Sequence, residues 1–259
     1  MKFTVIIPAR YASTRLPGKL LKIIGRKPMI QYVWESAVKS GAARVLVATD
    51  DARIRSTCEL FGAEAELTAE SHRSGTERIA ELVKRLGLDE QTIIVNVQGD
   101  EPLIPPSLIA QVAENLDATN HGANVATLCE RISDAASVLD PSVVKVVFDN
   151  NGYAIYFSRA PIPWDRDGFA ADRTKVDLST PYYRHIGIYA YRAGYLGDYV
   201  SLPESTAECR ERLEQLRVLH HGGRIHVAEA RERPGPGIDT PADLEKVRKL
   251  IETKSESGS

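Results

Sequence analysis

Three clusters in this chain hold side chains from which chemistry could be built. The first is Arg10-Tyr-Ala-Ser-Thr-Arg-Leu-Pro-Gly-Lys19, where Arg10, Arg15 and Lys19 stand among Ser13, Thr14 and Gly18. Small residues let main-chain N–H groups approach an anion while the cations neutralise it, so this stretch reads as a polyphosphate loop. A solvated basic turn is the plainer alternative. The second cluster is Gln98-Gly-Asp-Glu101 and the third is Gly235-Pro-Gly-Ile-Asp239. Hard divalent ions take oxygen ligands, and Mg²⁺ is held by one or two carboxylates together with substrate phosphates. Asp100 and Asp239 are therefore metal-site candidates. The competing reading makes them turn residues, Asp239 simply preceding a helix cap at Thr240.

Two common phosphate motifs do not fit. A Walker loop needs a glycine where this chain has Ser13, and no Gly-x-Gly-x-x-Gly follows the first strand. What remains is a loop that binds polyphosphate with side-chain cations as well as main chain. Further polar groups lie downstream. His72-Arg-Ser-Gly-Thr-Glu-Arg78 enters a helix that Ser74 or Thr76 can cap, and its first turn offers free N–H groups to a ligand. Arg159, His185, Tyr189, Glu214 and Gln215 supply polar groups from the second half. Each has an ordinary alternative as an ion-pair partner, a satisfied strand histidine or an exposed helix face.

The elements that must position these groups follow from periodicity. Short apolar runs at 4–7, 45–48 and 92–97 read as strands buried on both faces, and helical spacing follows each. That alternation predicts an α/β fold with a mainly parallel sheet and helices on both faces. Ligands of such sheets bind beyond the carboxyl ends of the strands, where all three clusters could meet. From residue 123 the pattern changes to strands at 123–128, 143–148, 153–158 and 184–191, with Asn150-Asn-Gly152 as a hairpin turn. Ile186, Ile188 and Ala190 share one face of the last of these. Residues 208–220 read as one helix, and Thr240-Pro241 starts a final one. One domain over 1–252 is expected, with an antiparallel subregion at about 140–190, a mobile polar stretch up to Thr180 and a disordered tail at 253–259.

Composition narrows the class. A net charge of −2 gives no general pull toward nucleic acid or an anionic membrane. The three cysteines are scattered and fit a reducing compartment. No apolar run approaches the roughly 18 residues of a membrane span, and the chain enters a strand at once, so a soluble cytoplasmic protein is expected.

Taken together, several stretches resemble a known family. They are Ile7-Pro-Ala-Arg-Tyr-Ala-Ser-Thr-Arg-Leu-Pro-Gly-Lys19, Ala48-Thr-Asp50, Ser74-Gly-Thr-Glu-Arg78, Asn96-Val-Gln-Gly-Asp-Glu-Pro102, Tyr156-Phe-Ser-Arg159, Ile162-Pro-Trp-Asp-Arg166, Arg184-His-Ile-Gly-Ile-Tyr189, Leu213-Glu-Gln-Leu-Arg217 and Gly237-Ile-Asp-Thr-Pro241. In this order they resemble the 3-deoxy-manno-octulosonate cytidylyltransferases, or CMP-KDO synthetases, over nearly the whole chain. Leu20 departs from the family's usual proline after Gly-Lys, and His220-His221 from its more usual aromatic residues.

The resemblance implies a glycosyltransferase-A-like nucleotidyltransferase that takes CTP and KDO and gives CMP-KDO and pyrophosphate. It implies Mg²⁺ as cofactor and a cytoplasmic homodimer serving lipopolysaccharide synthesis, with dimer contacts expected around the hairpin of residues 143–158. Arg10, Ser13, Arg15 and Lys19 would hold the triphosphate, while Gln98 and the segment from Ser74 to Arg78 frame the cytidine. Asp100 and Asp239 would carry the metal, so that Arg10, Lys19, Asp100 and Asp239 form the catalytic set. Arg159, His185, Tyr189, Glu214 and Gln215 would receive the sugar acid, an arginine suiting its carboxylate. The 8-amino analogue of KDO is the nearest alternative acceptor, and sialic acid a more distant one. A glycosyltransferase would want Asp-x-Asp where this chain has Gln98-Gly-Asp-Glu101, and a nucleotide-binding regulatory module has no use for a second carboxylate at Asp239.

Overall fold

The computed structural model of the chain describes residues 1–13, 15–172 and 176–257. Thr14 of the basic loop lies outside them, as does part of the polar stretch before Thr180. The first half runs β1 (Phe3–Ala9), a 3-10 turn (Lys19–Leu21), β2 (Ile23–Ile24), β3 (Lys27–Pro28), α1 (Met29–Lys39), β4 (Arg44–Thr49), α2 (Ala52–Leu60), β5 (Glu64–Leu67), α3 (Gly75–Arg85), β6 (Ile93–Asn96) and α4 (Pro106–Ala118). The second half runs β7 (Val125–Arg131), α5 (Ala135–Leu139), β8 (Lys145–Phe148), β9 (Ala154–Ser158), α6 (Arg166–Ala171), β10 (Tyr183–Arg192), α7 (Ala193–Ser201), α8 (Thr206–Glu211), α9 (Gln215–His220), β11 (Ile225–Glu229) and α10 (Pro241–Ser257).

The main sheet is ordered β11-β7-β10-β6-β1-β4-β5. β6, β1, β4 and β5 are mutually parallel, as are β11 and β7, and β10 runs antiparallel to both of its neighbours. Every residue of β1 is buried, as its unbroken apolar run requires. Alternate side chains of that strand enter different cores. Val5 and Ile7 pack with residues of α1, α4 and α10, whereas Ile6 packs with residues of α3 and α7. Helices thus cover both faces. β10 is long enough to serve two purposes. Its second half pairs with β6, while Arg184 near its start pairs with Lys145 of β8, joining the antiparallel β8–β9 hairpin to the sheet.

Three local differences from the sequence reading have physical causes. The helix expected over 208–220 is two short helices, broken at Arg212, which takes the left-handed conformation with φ 54°. A capping box of Ser205 and Glu208 fixes the first of them, and Arg217 of the second is buried with its Nε 2.9 Å and Nη2 2.6 Å from the Glu208 carboxylate. That pairing folds the helices against each other and outweighs the continuous helical periodicity. α7 was not legible because Gly194 and Gly197 weaken its helical pattern; its register comes from packing Leu196 and Tyr199 into the core. Residues 253–257, read as a disordered tail, continue α10, whose start is fixed by the Thr240 and Asp243 side chains; 258–259 lie outside the described residues.

Candidate active site

Two adjoining clefts, each of about 300 Å³, open beyond the carboxyl ends of β1 and β6 and share Gly75, Gln98 and Glu214. The first is lined by the basic loop, the start of α3 and both candidate carboxylates. The loop is built around Gly18, whose left-handed φ of 63° lets its N–H reach the Tyr11 carbonyl at 3.3 Å just before Lys19. Tyr11 is itself covered by Arg53, which lies 3.5 Å above its ring. Gly75 allows α3 to meet β1, since a Cβ there would lie 3.0 Å from Pro8 Cγ. Ser74 caps α3 by accepting from the Glu77 N–H, which leaves the neighbouring N–H groups of the first turn facing the cleft's end of the helix.

Lys19 is the centre of the first cleft. Its ammonium lies 2.5 Å from Asp100 Oδ2, 3.2 Å from Asp239 Oδ1 and 3.2 Å from the Ile238 carbonyl, which it donates to. Arg15 reaches the same Asp239 oxygen at 3.1 Å. Two carboxylates separated by more than a hundred residues in sequence therefore close on one cation. That is an oxygen-rich donor set with the ammonium at its centre. Among the described residues no group of three or more His, Cys, Asp or Glu side chains is placed to hold a metal ion, so an ion between these two carboxylates would need further oxygens from substrate or water. Arg10 and Ser13 line the same cleft. Arg78 also lines it, but its charge is paired: it is buried, 2.8 Å from Asp50 Oδ2, while Asp50 Oδ1 accepts the Tyr11 N–H. It frames the cleft by tying α3 to the basic loop.

The second cleft is walled by β10, α7 and the turn between α8 and α9. A register shift in the β10–β7 ladder between Ile186 and Tyr189 marks a bulge. His185, Gly187, Tyr189 and Tyr191 line the cleft, while Ile186, Ile188 and Ala190 enter the opposite core. Burial pushes the His185 imidazole down to about 3, so the ring is neutral near pH 7. Thr127 Oγ1 lies 2.7 Å from the Ile188 carbonyl, to which it donates, and 3.0 Å from His185 Nε2. Nε2 therefore carries the proton, and Nδ1 is left as an acceptor. Glu214 immediately precedes α9, where the Thr76 hydroxyl donates to its carboxylate at 3.1 Å and burial raises its pKa. Gln215 is buried and its Nε2 has no hydrogen-bond partner among the described residues. An orphan donor in a cleft wall is a place for a substrate oxygen.

Of the fourteen residues expected at the site, the clefts gather thirteen. Arg159 is the exception: its Nε donates to the Glu211 carbonyl at 2.7 Å and its Nη1 to the Pro141 carbonyl at 2.9 Å, and it lines neither cleft. Tyr191, Tyr199 and Arg212 line the second cleft without having been singled out. Period-two spacing from Tyr189 could have found Tyr191. Nothing local marks Arg212, which reaches the wall only because the helix breaks there. Burial, with Asp100 alongside, pushes the Glu101 carboxyl up to about 7.

The chain has counterparts among known proteins. A family model described as "Cytidylyltransferase" matches residues 4–225. The chain is 61% identical over 250 residues to a 3-deoxy-manno-octulosonate cytidylyltransferase of Pseudomonas fluorescens, covering 96% of this chain and 98% of that one. One from Pseudomonas syringae pv. syringae is 58% identical with the same coverage. A solved structure of CMP:2-keto-3-deoxy-manno-octonic acid synthetase complexed with CTP superposes with a TM-score of 0.88 at 44% identity, covering 98% of this chain and 100% of that one.

Proposed function

This chain belongs to the cytidylyltransferase family, and from that premise we infer its reaction. It transfers CMP from CTP to 3-deoxy-manno-octulosonate, giving CMP-KDO and pyrophosphate. The observation that carries the reading is the pair of adjoining clefts, one ringed by cations and carboxylates and the other by His185, Gln215 and three tyrosines together with Glu101, Arg212 and Glu214. The 8-amino analogue is not favoured, since the relatives are named for KDO itself. Pure protein incubated with CTP, Mg²⁺ and each sugar acid, with pyrophosphate release followed, tests this directly. No release with KDO refutes it.

In the mechanism we propose, the anomeric hydroxyl of KDO gives up its proton to water and its oxygen forms a bond to the α-phosphorus of CTP. The bond from that phosphorus to the bridging oxygen of the β-phosphate breaks in line, and pyrophosphate leaves. The barriers are repulsion between two anions and charge building on the leaving group, so fixed cations supply most of the catalysis and no covalent protein nucleophile is needed. Arg10, Ser13 and Arg15 would hold the triphosphate, and Lys19 would move from the two carboxylates to the leaving phosphates. Asp100 and Asp239 fit Mg²⁺, which when bound would neutralise phosphate charge. Gln98, on the wall common to both clefts, and the start of α3 with Ser74 and Arg78 would frame the cytidine. His185, Tyr189, Glu214 and Gln215 would receive the sugar, with the neutral His185 ring and the orphan Gln215 amide suited to hydroxyl and carboxylate oxygens.

We extend the proposal to a cytoplasmic homodimer. Three unpaired cysteines and the absence, among the described residues, of any helix able to cross a membrane are compatible with that location. Among the described residues β9 pairs only with β8, and Ile155 (63% exposed) and Trp164 (55% exposed) lie on it and on the loop that follows. An open strand edge bearing apolar side chains is a surface for a second copy.

A further inference from the structure

The wall of the second cleft depends on a residue that does not itself line it. α8 ends at Glu211, and the next residue, Arg212, holds φ 54° and ψ 48°. A non-glycine residue in this region is unfavourable by about 1 kcal/mol or more and persists only where its surroundings fix it. Leu213, Glu214 and Gln215 follow at once and line the cleft.

Glu211 supplies the fixing contacts. Its carboxylate accepts the Ser158 hydroxyl at 2.6 Å and the Arg159 N–H at 2.9 Å, and its carbonyl accepts Arg159 Nε at 2.7 Å. All three bonds join the end of β9 to the α8–α9 turn. The strand end is anchored from the other side by Lys145, which is fully buried and donates to the carbonyls of Arg159 at 2.7 Å, Asp140 at 2.8 Å and Val143 at 2.5 Å. Two rigid pieces, the β8–β9 hairpin and the α8–α9 turn, thus meet through one glutamate.

We propose that Glu211 is a positioning residue for the sugar-acid half of the site, resting on the reading that the second cleft takes KDO. By gripping Arg159 through main chain and guanidinium together, it sets where that arginine stands relative to Glu214 and Gln215. Through its guanidinium Arg159 donates to the carbonyls of Glu211 and Pro141, and Glu211 is the residue before Arg212 of the cleft wall. A turn fixed in this way holds Glu214 and Gln215 in place before the substrate binds. A glutamate that served only the fold would affect both substrates alike, in step with the loss of stability.

The test is steady-state kinetics on Glu211→Ala, Glu211→Gln and Ser158→Ala, with melting temperatures measured alongside. Glu211→Ala should raise the KM for KDO about tenfold and leave the KM for CTP within twofold. Glu211→Gln keeps one acceptor oxygen and should fall between it and the wild type. Ser158→Ala removes a single bond and should show a smaller shift of the same kind. Unchanged KM for KDO in all three, or parallel losses for both substrates that follow the melting temperature, would overturn the positioning role. A wild-type enzyme that releases no pyrophosphate with KDO would instead overturn the reading beneath it, so the two failures are separable.

Discussion

Replacing Lys19 by methionine asks whether the ammonium stands where a metal ion belongs. Methionine keeps the length of a side chain that is only 14% exposed, so the change is mainly one of charge. In the protein the ammonium lies 2.5 Å from Asp100 and 3.2 Å from Asp239, whose side chains are 31% and 51% exposed. Two unit charges about 4 Å apart attract by roughly 4 kcal/mol at an effective dielectric of 20. Exposure and screening bring such pairs down to about 1 kcal/mol each. An entering ion must therefore give up about 2 kcal/mol of pairing in the wild type that is absent in the variant. We predict that Lys19→Met binds Mn²⁺ roughly 30-fold more tightly in the absence of nucleotide, taking 1.4 kcal/mol per tenfold. The same repelling carboxylates should lower the melting temperature by roughly 4–8 °C in EDTA, at about 2–4 °C per kcal/mol, and Mg²⁺ should restore more of it than in the wild type. Titration calorimetry with Mn²⁺ and melting curves with and without Mg²⁺ measure both. Equal or weaker metal binding by the variant would refute the stand-in role, even if its turnover collapses for want of a cation on the triphosphate.

Other outcomes follow from the same geometry. Asp100→Asn should lower turnover by a factor of roughly 10² or more, and near-normal turnover would remove that residue from the metal site. The His185 contribution to stability depends on pH with a definite sign. Its folded-state value of about 3 lies below the ordinary 6.5, so the folded protein binds fewer protons between those values; the contribution is complete above pH 6.5 and is lost as pH falls. The stability advantage of wild type over His185→Asn should shrink below pH 6.5 by at most about 1.4 kcal/mol per unit, less as cleft water reaches the ring, and a pH-independent difference in urea unfolding at pH 7.5 and 5.5 would contradict it. Placing charges at Ile155 and Trp164 should convert a dimer to monomers by light scattering; a dimer of undiminished stability would place the interface elsewhere.

Much of this protein is written locally. The buried strands at 4–7 and 45–48 are continuous apolar runs, and such runs can sit only between two covered faces, so the parallel half of the sheet was legible. That Arg10, Ser13, Arg15 and Lys19 line one cleft was legible for a similar reason: cations, small residues and a glycine just before Lys19 lie within one short stretch. The division of β10 into a core face and a polar face was visible as period-two alternation, although its bulge was not. What periodicity misled on was the span from Glu208 to His220. There a buried pair, Arg217 on Glu208, bends a continuous pattern into two helices.

The remaining decisions belong to tertiary structure. Asp100 and Asp239 could each have been a turn residue, and only the folding of distant segments onto one ammonium makes them a joint site. Arg78 offered its charge to a ligand in the sequence, and Asp50 takes it in the fold. Arg159 offered its guanidinium likewise and is held by Glu211. Composition and spacing determine which side chains are available and which surfaces must be buried. Long-range pairing determines which charges are left over, because electrostatic partners are chosen by proximity in space and not along the chain.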